Sequence, residues 1–288
     1  MVAKNTIFSP KTTLNCNGKL LDISSPKIMG IINVTPDSFY DGGFINNEKE
    51  LLLLSEKMLN EGASILDIGG ISTRPGADSI SIEEELNRVI SSISLIKKQF
   101  PGVIISIDTY RSKVAEEAII HGASMVNDIS AGSFDANLFE TVARYKVPYI
   151  LMHMQGTPQS MQEQPHYEDV VMEVFEFFKQ KIFELNTLGV YDLLIDPGFG
   201  FGKTIAHNYQ LLKQLSVFHV FGYPILAGLS RKSMICKVLK VDPPKALPGT
   251  IVLNTIALLH GATILRVHDV REAKETIKLI EAMNNDGV

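Results

Sequence analysis

Short apolar runs rich in valine and isoleucine recur along the chain, and each gives way to a polar loop that contains glycine or proline. Eight such runs end near Asn33, Asp67, Asp108, Asn127, His153, Asp196, Ser230 and Arg266. Apolar runs without alternating polar positions are typical of parallel strands, because both faces of a parallel sheet are buried. The pattern predicts strands at about residues 27–34, 64–68, 103–107, 124–127, 147–153, 193–195, 224–228 and 263–267.

Amphipathic segments separate these runs, and local signals in them predict helices. Ser81 followed by Glu84 is the pattern of a capping box, and Gly122 marks a helix end. The helices are predicted at about residues 47–61, 82–99, 112–121, 136–145, 169–188, 207–215, 247–260 and 270–283. Eight successive strand–helix units predict an α/β fold, a single (β/α)8 TIM barrel over residues 27–288. A doubly wound open sheet is the alternative, with its chemistry concentrated at a switch point.

The segment before the first barrel strand has a different pattern. Asn17-Gly18 lies between two short apolar stretches, and Asn-Gly in that setting is a strong hairpin signal. We therefore expect residues 1–26 to contain a short N-terminal β-hairpin that is part of the same domain. We expect it to close one end of the barrel.

Composition and charge exclude several functional classes. The net charge is −5, and no cluster of Lys or Arg is longer than Lys97-Lys98, so a nucleic-acid partner is not expected. No apolar stretch approaches about 18 residues, and the first 25 residues lack a signal-peptide core, so neither a membrane nor a secreted location is expected. The two cysteines, Cys16 and Cys236, are far apart. We expect two reduced thiols in a cytoplasmic protein.

A glycine-rich segment follows the sixth strand and superficially resembles a phosphate-binding loop. It runs from Asp196 to Thr204 with glycines at 198, 200 and 202. A Walker A motif would need glycine at position 197, which is proline, and the spacing of a dinucleotide fingerprint also fails. We interpret the segment as a flexible loop that lets the backbone approach a ligand, with Asp196 fixed at the strand end.

The polar residues at the strand ends are the candidate site. Asp108, Asn127, Asp196 and Lys232 would converge at one barrel mouth and suit a flat heterocycle with several N–H and C=O groups. Arg266 and His268 share a strand face and suit a phosphate or another anion. The Thr73-Arg74 pair on the second loop could serve the same purpose.

Two strand ends have plainer interpretations. Asp67 is interpreted as a structural residue, because an Asp at this position often caps the following helix. His153 is interpreted as a barrel histidine with a local partner. The remaining histidines show no metal-binding spacing and are expected at the surface or at helix caps.

Several of the strand ends lie within longer motifs. These are Gly30–Phe39 with Asp41, Asp67–Gly76, Ser106–Thr109, Val126–Ser130, Leu151–Met154, Asp196–Lys203, Ser230–Ser233 and Arg266–Asp269. In content and order they resemble the motifs of the dihydropteroate synthase family, and the resemblance extends over about residues 27–283. Ile71 departs from it, since the family usually has Glu there, and Tyr40 stands where Ser is expected.

The resemblance implies an activity and a set of site residues. Family members join 6-hydroxymethyl-7,8-dihydropterin diphosphate to 4-aminobenzoate, releasing pyrophosphate, on a (β/α)8 barrel. It implies that the pterin ring is bound by Asp108, Asn127, Met152, Asp196 and Lys232. It implies that the diphosphate is bound by Thr73, Arg266 and His268, next to the candidate Arg74, and that aminobenzoate is enclosed by Phe39, Pro75, Lys232 and Ser233. Asn33 would be the protein ligand of a Mg²⁺ cofactor, and Asp41, Lys232 and Arg266 would be the catalytic residues.

The resemblance also implies a homodimer and sensitivity to sulfonamides. The predicted helices 247–260 and 270–283 are candidate interface helices, although ordinary packing against the barrel is the favoured explanation of their apolar faces. Met152 could likewise be an ordinary core methionine, and Phe39 an aromatic that anchors its loop. The glycine-, serine- and proline-rich loops 34–46 and 69–81 are expected to close over the substrates.

Two other functions stay open at this point. A methyltetrahydrofolate-dependent corrinoid methyltransferase would share the barrel and the pterin contacts, but it has no use for the diphosphate residues Asn33, Thr73, Arg266 and His268. A catalytically silent pterin-binding paralogue would keep the same residues without turnover. An assay of pyrophosphate release separates both from a synthase.

Overall fold

The computed structural model describes residues 11–34, 48–71 and 80–284. Its first element is a hairpin of β1 (Thr13–Cys16) and β2 (Lys19–Asp22), which pair antiparallel. Asn17 and Gly18 form the turn with φ of 52° and 85°, as a tight Asn-Gly hairpin requires. The predicted hairpin is confirmed.

Eight parallel strands form the main sheet. They are β3 (Lys27–Asn33), β4 (Ile65–Gly69), β5 (Ile104–Asp108), β6 (Met125–Asp128), β7 (Tyr149–Met152), β8 (Leu193–Asp196), β9 (Leu226–Ala227) and β10 (Ile264–Val267). Their order is β8-β7-β6-β5-β4-β3-β10-β9. A parallel bridge between Ile195 and Ile225 connects the two outermost strands, so the sheet closes. The predicted barrel is therefore confirmed, and the open-sheet alternative is wrong.

Helices connect the strands and cover the outside of the barrel. They are α1 (Glu48–Glu61), α2 (Ile82–Gln99), α3 (Ser112–Ile120), α4 (Leu138–Tyr145), α5 (Val170–Thr187), α6 (Ile205–Lys213), α7 (Ser233–Leu239), α8 (Leu247–Leu259) and α9 (Val270–Asn284). Short 3-10 helices occupy Leu215–Phe221 and Pro243–Lys245. α7 was not predicted, because its seven residues are too short for a clear amphipathic period. None of the helices in the described ranges is long and apolar enough to span a bilayer.

The hairpin and the strands share one inner core at the amino ends of the strands. Each barrel strand contributes one residue to it: Met29, Ile65, Ile104, Met125, Ile150, Leu194, Leu226 and Ile264. Leu14, Cys16, Leu21 and Ile23 from the hairpin segment complete the cluster, so the hairpin closes this end. Both cysteines are free thiols.

The next inward-facing layer is very different in character. Side chains alternate along a strand, so the residues two positions further on also face the barrel interior. These are Ile31, Asp67, Ser106, Asn127, Met152, Asp196, Gly228 and Arg266. An apolar floor thus supports a polar layer at the carboxyl ends of the strands, where (β/α)8 barrels carry their active sites.

Candidate active site at the carboxyl ends of the strands

Arg266 on β10 joins two carboxylates from neighbouring strands. Its Nε lies 2.7 Å from Asp67 Oδ2, and its Nη2 lies 2.5 Å from Asp108 Oδ2. Asn127 Nδ2 donates to the same Asp67 oxygen at 3.1 Å. Asp67 is fully buried, and its second oxygen has no hydrogen-bond partner among the described residues. Four strand-end side chains therefore form one network in which two carboxylates share one guanidinium.

The helix-capping interpretation of Asp67 is wrong. Ser81 is the N-cap of α2, and its side chain accepts a bond from the Glu84 backbone N–H. Asp67 instead lies within β4, and it holds Arg266 and Asn127. No local pattern indicates this role, because the partner on β10 is distant along the chain.

Asp108 is the member of this network whose ionisation is most affected. Burial raises the pKa of Asp108 from 3.8 to about 7, Arg266 opposes the shift, and the nearby Asp67 carboxylate adds to it. Two carboxylates that share one cation cannot both be fully compensated, so one of them is held more readily in its protonated form.

This shift predicts a pH dependence of stability. A raised carboxyl pKa means that the folded state binds more protons, so the contribution of Asp108 is present at low pH and is lost as pH rises from about 4 to about 7. We expect the free energy of unfolding of wild type, minus that of Asp108→Asn, to fall over this range in urea titrations. Asp242→Asn, which removes an exposed carboxylate, is the control. A difference for Asp108→Asn that stays constant with pH would contradict the shift.

Asp196, Lys232 and Arg266 surround one point of the barrel mouth. A Cβ added to Gly228 would lie 3.8 Å from Lys232 Nζ, 3.9 Å from Asp196 Oδ2 and 4.0 Å from Arg266 Cβ. The glycine thus leaves open the space onto which these three side chains converge. Burial raises the pKa of Asp196, which Lys232 opposes, and burial lowers the pKa of Lys232 to about 8. An acceptor and a donor therefore lie side by side, as the predicted heterocycle site requires.

The glycine-rich loop after β8 determines where both of these side chains lie. The backbone N–H of Gly198 donates to Asp196 Oδ1 at 2.8 Å. Lys232 Nζ donates to the Phe199 carbonyl and lies 4.7 Å from the centre of the Phe201 ring. Lys203 at the end of the loop is buried, and its Nζ lies 2.9 Å from His153 Nδ1. His153 therefore has the local partner that was predicted for it.

His268, two positions after Arg266, contacts the turn that follows β9. Its Nδ1 is 3.0 Å from Ser230 Oγ, and its backbone N–H donates to the same oxygen. Arg231 next to Ser230 adopts a φ of 55° and pairs with Asp269 through its Nε and Nη2, at 3.1 and 2.6 Å. These contacts fix the turn that leads into α7, where Lys232 is the N-cap and Ser233 is an exposed first residue.

Asn33 is the candidate metal ligand and lies at the end of β3. A Cβ added to Gly69 would lie 3.6 Å from Asn33 Oδ1 and 3.8 Å from Asp108 Oδ2, so both oxygens lie close to Gly69 at the end of β4. The described residues contain no cluster of three His, Cys, Asp or Glu side chains that could hold a metal on its own.

The structure does not describe every predicted site residue. Phe39, Asp41, Thr73, Arg74 and Pro75 lie outside the described residues, as do most of loops 34–46 and 69–81 and the departure at Tyr40. Met152 is buried at the end of β7 next to Gly198. Five residues predicted from the sequence lie together at the mouth: Asp108, Asn127, Asp196, Lys232 and Arg266. The contacts that Asp67 and Lys203 make were not predicted.

Comparisons with known proteins agree with this site. Residues 29–268 match the family model described as pterin binding enzyme. The dihydropteroate synthase of Escherichia coli K12 is 46% identical, covering 93% of this chain and 95% of its own. That of Haemophilus influenzae is 45% identical, covering 94% of this chain and 99% of its own.

Solved structures extend the similarity to three dimensions. The Yersinia pestis dihydropteroate synthase in a sulfonamide drug complex superimposes with a TM-score of 0.91 at 44% identity, covering 94% of this chain and 99% of that one. The Xanthomonas albilineans enzyme with 4-aminobenzoic acid has a TM-score of 0.87 at 40% identity, covering 95% and 98%. The same enzyme in complex with 7,8-dihydropteroate has a TM-score of 0.84 at 38% identity, covering 94% and 98%.

Proposed function

Because the chain belongs to the pterin-binding enzymes and, within them, to the dihydropteroate synthases, we propose a role for each side chain of its barrel mouth in that reaction. The reaction joins 6-hydroxymethyl-7,8-dihydropterin diphosphate to 4-aminobenzoate and gives 7,8-dihydropteroate and pyrophosphate, a transferase step of folate synthesis. The observation that carries the assignment of roles is the buried polar layer of the barrel. It places charged groups over an apolar floor at the mouth.

Asp196 is proposed to bind the aminopyrimidinone edge of the pterin. Its carboxylate is 4% exposed, already accepts one backbone bond from Gly198, and has lone pairs left for two ring N–H groups. Lys232 next to it would donate to the carbonyl side of the ring. Asn127 and Asp108 would complete the polar edge, and Met152 would pack on a ring face.

Arg266 is proposed to bind the diphosphate. Its bonds to Asp67 and Asp108 use two of the five N–H donors of a guanidinium, so the others can reach a phosphate while the ion pairs hold the group in place. Thr73, Arg74 and His268 are proposed to add donors to the same anion. The ion pairs with Asp67 and Asp108 hold Arg266 in place before the substrate arrives, so less conformational entropy is lost on binding.

Mg²⁺ is the proposed cofactor, with Asn33 as its protein ligand. A single amide oxygen fits an ion that takes few protein ligands and keeps waters and substrate phosphates. When bound, Mg²⁺ would supply neutralisation of charge on the pyrophosphate leaving group.

The chemistry needs little proton transfer by the protein. The bond from the pterin CH₂ carbon to the bridging oxygen breaks with its electron pair going to pyrophosphate, and Arg266 stabilises that developing charge. The positive charge left on carbon is delocalised into the pterin, whose edge faces the Asp196 carboxylate, and Asp41 is proposed to lie near it. The amine lone pair of aminobenzoate forms the new C–N bond, and the nitrogen then loses one proton. An arylamine is neutral at pH 7, so no strong base is required.

Aminobenzoate is proposed to bind at the outer wall of the pocket. Lys232 supports this location, since its side chain passes from the pterin site towards α7 and Ser233 lies at the exposed start of that helix. Phe39 and Pro75 are proposed as the other walls. When the pterin binds first, its CH₂ carbon would face this wall, and the amine could approach that carbon from the side opposite to the leaving group.

A pyrophosphate-release assay tests the function. Purified protein should release pyrophosphate and form an equal amount of 7,8-dihydropteroate when pterin diphosphate, aminobenzoate and Mg²⁺ are all present. Omitting aminobenzoate should stop formation of 7,8-dihydropteroate. Chelating Mg²⁺ should stop both pyrophosphate release and formation of 7,8-dihydropteroate. No release under any condition would exclude the synthase and favour the silent paralogue.

A homodimer and a cytoplasmic location are also proposed. Exposed apolar side chains on the last three helices support a second copy as partner: Val238 and Leu239 on α7, Val252 and Leu259 on α8, and Leu279 and Met283 on α9. Sedimentation equilibrium that fits a monomer at micromolar concentration would contradict the dimer. The two free thiols support a reducing compartment, which cell fractionation tests.

A further inference from the structure

Lys203 is a buried cation for which the proposed chemistry has no use. It follows the glycine-rich loop and is 2% exposed. Its Nζ is 3.0 Å from the carbonyls of Gly198 and Phe201, 3.2 Å from the His153 carbonyl and 2.9 Å from His153 Nδ1. Four acceptors thus surround one amine nitrogen. None of them is a carboxylate. Burial lowers the pKa of Lys203, and the Asp196 carboxylate opposes this shift.

His153 is suited to act as one of these acceptors. Burial, followed by the neighbouring Lys203, lowers the pKa of His153 well below its ordinary value, so its imidazole is neutral. A neutral imidazole presents one ring nitrogen as an acceptor, and here Nδ1 faces the Lys203 ammonium. The site therefore resembles a small cage of oxygen and nitrogen acceptors that is filled by the tip of a tethered side chain.

The loop needs such a group because of its backbone conformation. Gly198, Gly200 and Gly202 all adopt left-handed φ values, of 69°, 84° and 61°. Successive reversals of this kind prevent the loop carbonyls from pairing in a regular helix or strand, and a buried carbonyl without a donor is costly. The Gly198 carbonyl also accepts from the Phe201 backbone N–H at 3.1 Å. Lys203 adds a donor there and also donates to the Phe201 carbonyl and to the His153 carbonyl after β7.

The same loop is in direct contact with the groups that bind substrate. The Gly198 N–H donates to Asp196, the Phe199 carbonyl accepts from Lys232, and the Phe201 ring lies under the Lys232 ammonium. A shift of the loop would therefore move the acceptor and the donor of the pterin site together.

We propose that Lys203 is a positioning residue whose ammonium fills a carbonyl-lined cation site and thereby holds the loop that orients Asp196 and Lys232. The role in turnover rests on the proposed function, whereas the cation site stands on geometry alone. A small free ammonium ion should occupy this site when the side chain is shortened, because its N–H donors match the same acceptors.

Two variants separate the charge from the space that the side chain fills. Lys203→Ala removes the ammonium and leaves a cavity, while Lys203→Met removes the ammonium but fills most of the cavity. Exposed Lys213→Met on α6 is the matched control. We expect both Lys203 variants to raise KM for pterin diphosphate about tenfold or more and to lower kcat, because Asp196 and Lys232 are both displaced.

Rescue by small cations is the decisive measurement. Ammonium or methylammonium chloride should restore KM in Lys203→Ala and raise its Tm, whereas tetramethylammonium chloride at equal ionic strength should do neither. Lys203→Met should not respond, because its side chain fills the space. The Tm shift is independent of turnover, so it tests the cation site even if the assay of the proposed function fails.

Three results would overturn the proposal. Unchanged KM and kcat in Lys203→Met, with only a lower Tm, would mean that the residue is merely structural. Equal effects of ammonium and tetramethylammonium would show a general salt effect rather than a site. A rescue of Lys203→Met as complete as that of Lys203→Ala would place the binding ion elsewhere.

Discussion

Asp196→Asn is expected to lower kcat/KM for pterin diphosphate by about 100-fold or more, with a weaker affinity for the pterin itself. The carboxylate lies at the end of β8 with one bond from Gly198, and it offers two acceptors to the ring edge. An amide presents an N–H₂ group where a ring N–H also donates, so one bond is lost and one contact becomes repulsive. Hydrogen bonds to charged groups contribute about 1.5–3 kcal/mol each, and 1.4 kcal/mol corresponds to tenfold.

Steady-state kinetics and calorimetric titration with the pterin diphosphate measure this effect. Asp242→Asn is the charge-matched control, because it removes an exposed carboxylate that has no proposed role in binding, and it should leave both quantities unchanged. Circular dichroism should show that the barrel of Asp196→Asn is intact. Wild-type affinity for the pterin in a folded Asp196→Asn would contradict the assignment of this residue to the ring edge.

Arg266→Met is expected to lower the free energy of unfolding by about 3–5 kcal/mol and to abolish measurable turnover. Removal of the guanidinium leaves the buried carboxylates of Asp67 and Asp108 close together without their shared cation. Methionine fills much of the same space, so the loss reflects charge rather than a cavity. Turnover is lost because the donors for the diphosphate are lost with the same group.

A double-mutant cycle with Asp67→Asn separates the two effects. In urea unfolding, the double variant should lose less free energy of unfolding than the two single variants lose together, because a neutral residue at position 67 no longer needs the cation. Activity should not return. Additive losses in stability would show that Arg266 and Asp67 do not interact in solution, which would contradict the network.

Most of the fold follows from local patterns in the sequence. The apolar runs located all eight barrel strands, and Asn17-Gly18 located the hairpin turn. α2 begins at Ile82 after its Ser81 cap, as predicted, because the capping signal is local. The helix predicted at residues 207–215 begins earlier and gives way to a 3-10 helix at Leu215.

The site was predicted only in part, because sequence patterns locate the strand ends but not the contacts between them. Parallel strands bring their carboxyl ends together, so Asp108, Asn127, Asp196 and Arg266 could be placed at one mouth without knowing their partners. The partners themselves depend on distances across the barrel. Asp67 is 199 positions from Arg266, and Lys203 is 50 positions from His153, so no local pattern reveals either pair.

A crystal structure of the protein with 6-hydroxymethyl-7,8-dihydropterin diphosphate and Mg²⁺ would show whether the barrel mouth binds the pterin as proposed. We expect the aminopyrimidinone edge on the Asp196 carboxylate, the ring beside Lys232 and Asn127, and the diphosphate on Arg266 while that residue keeps its contact with Asp67. A pterin bound away from Asp196, or a diphosphate without contact to Arg266, would contradict it.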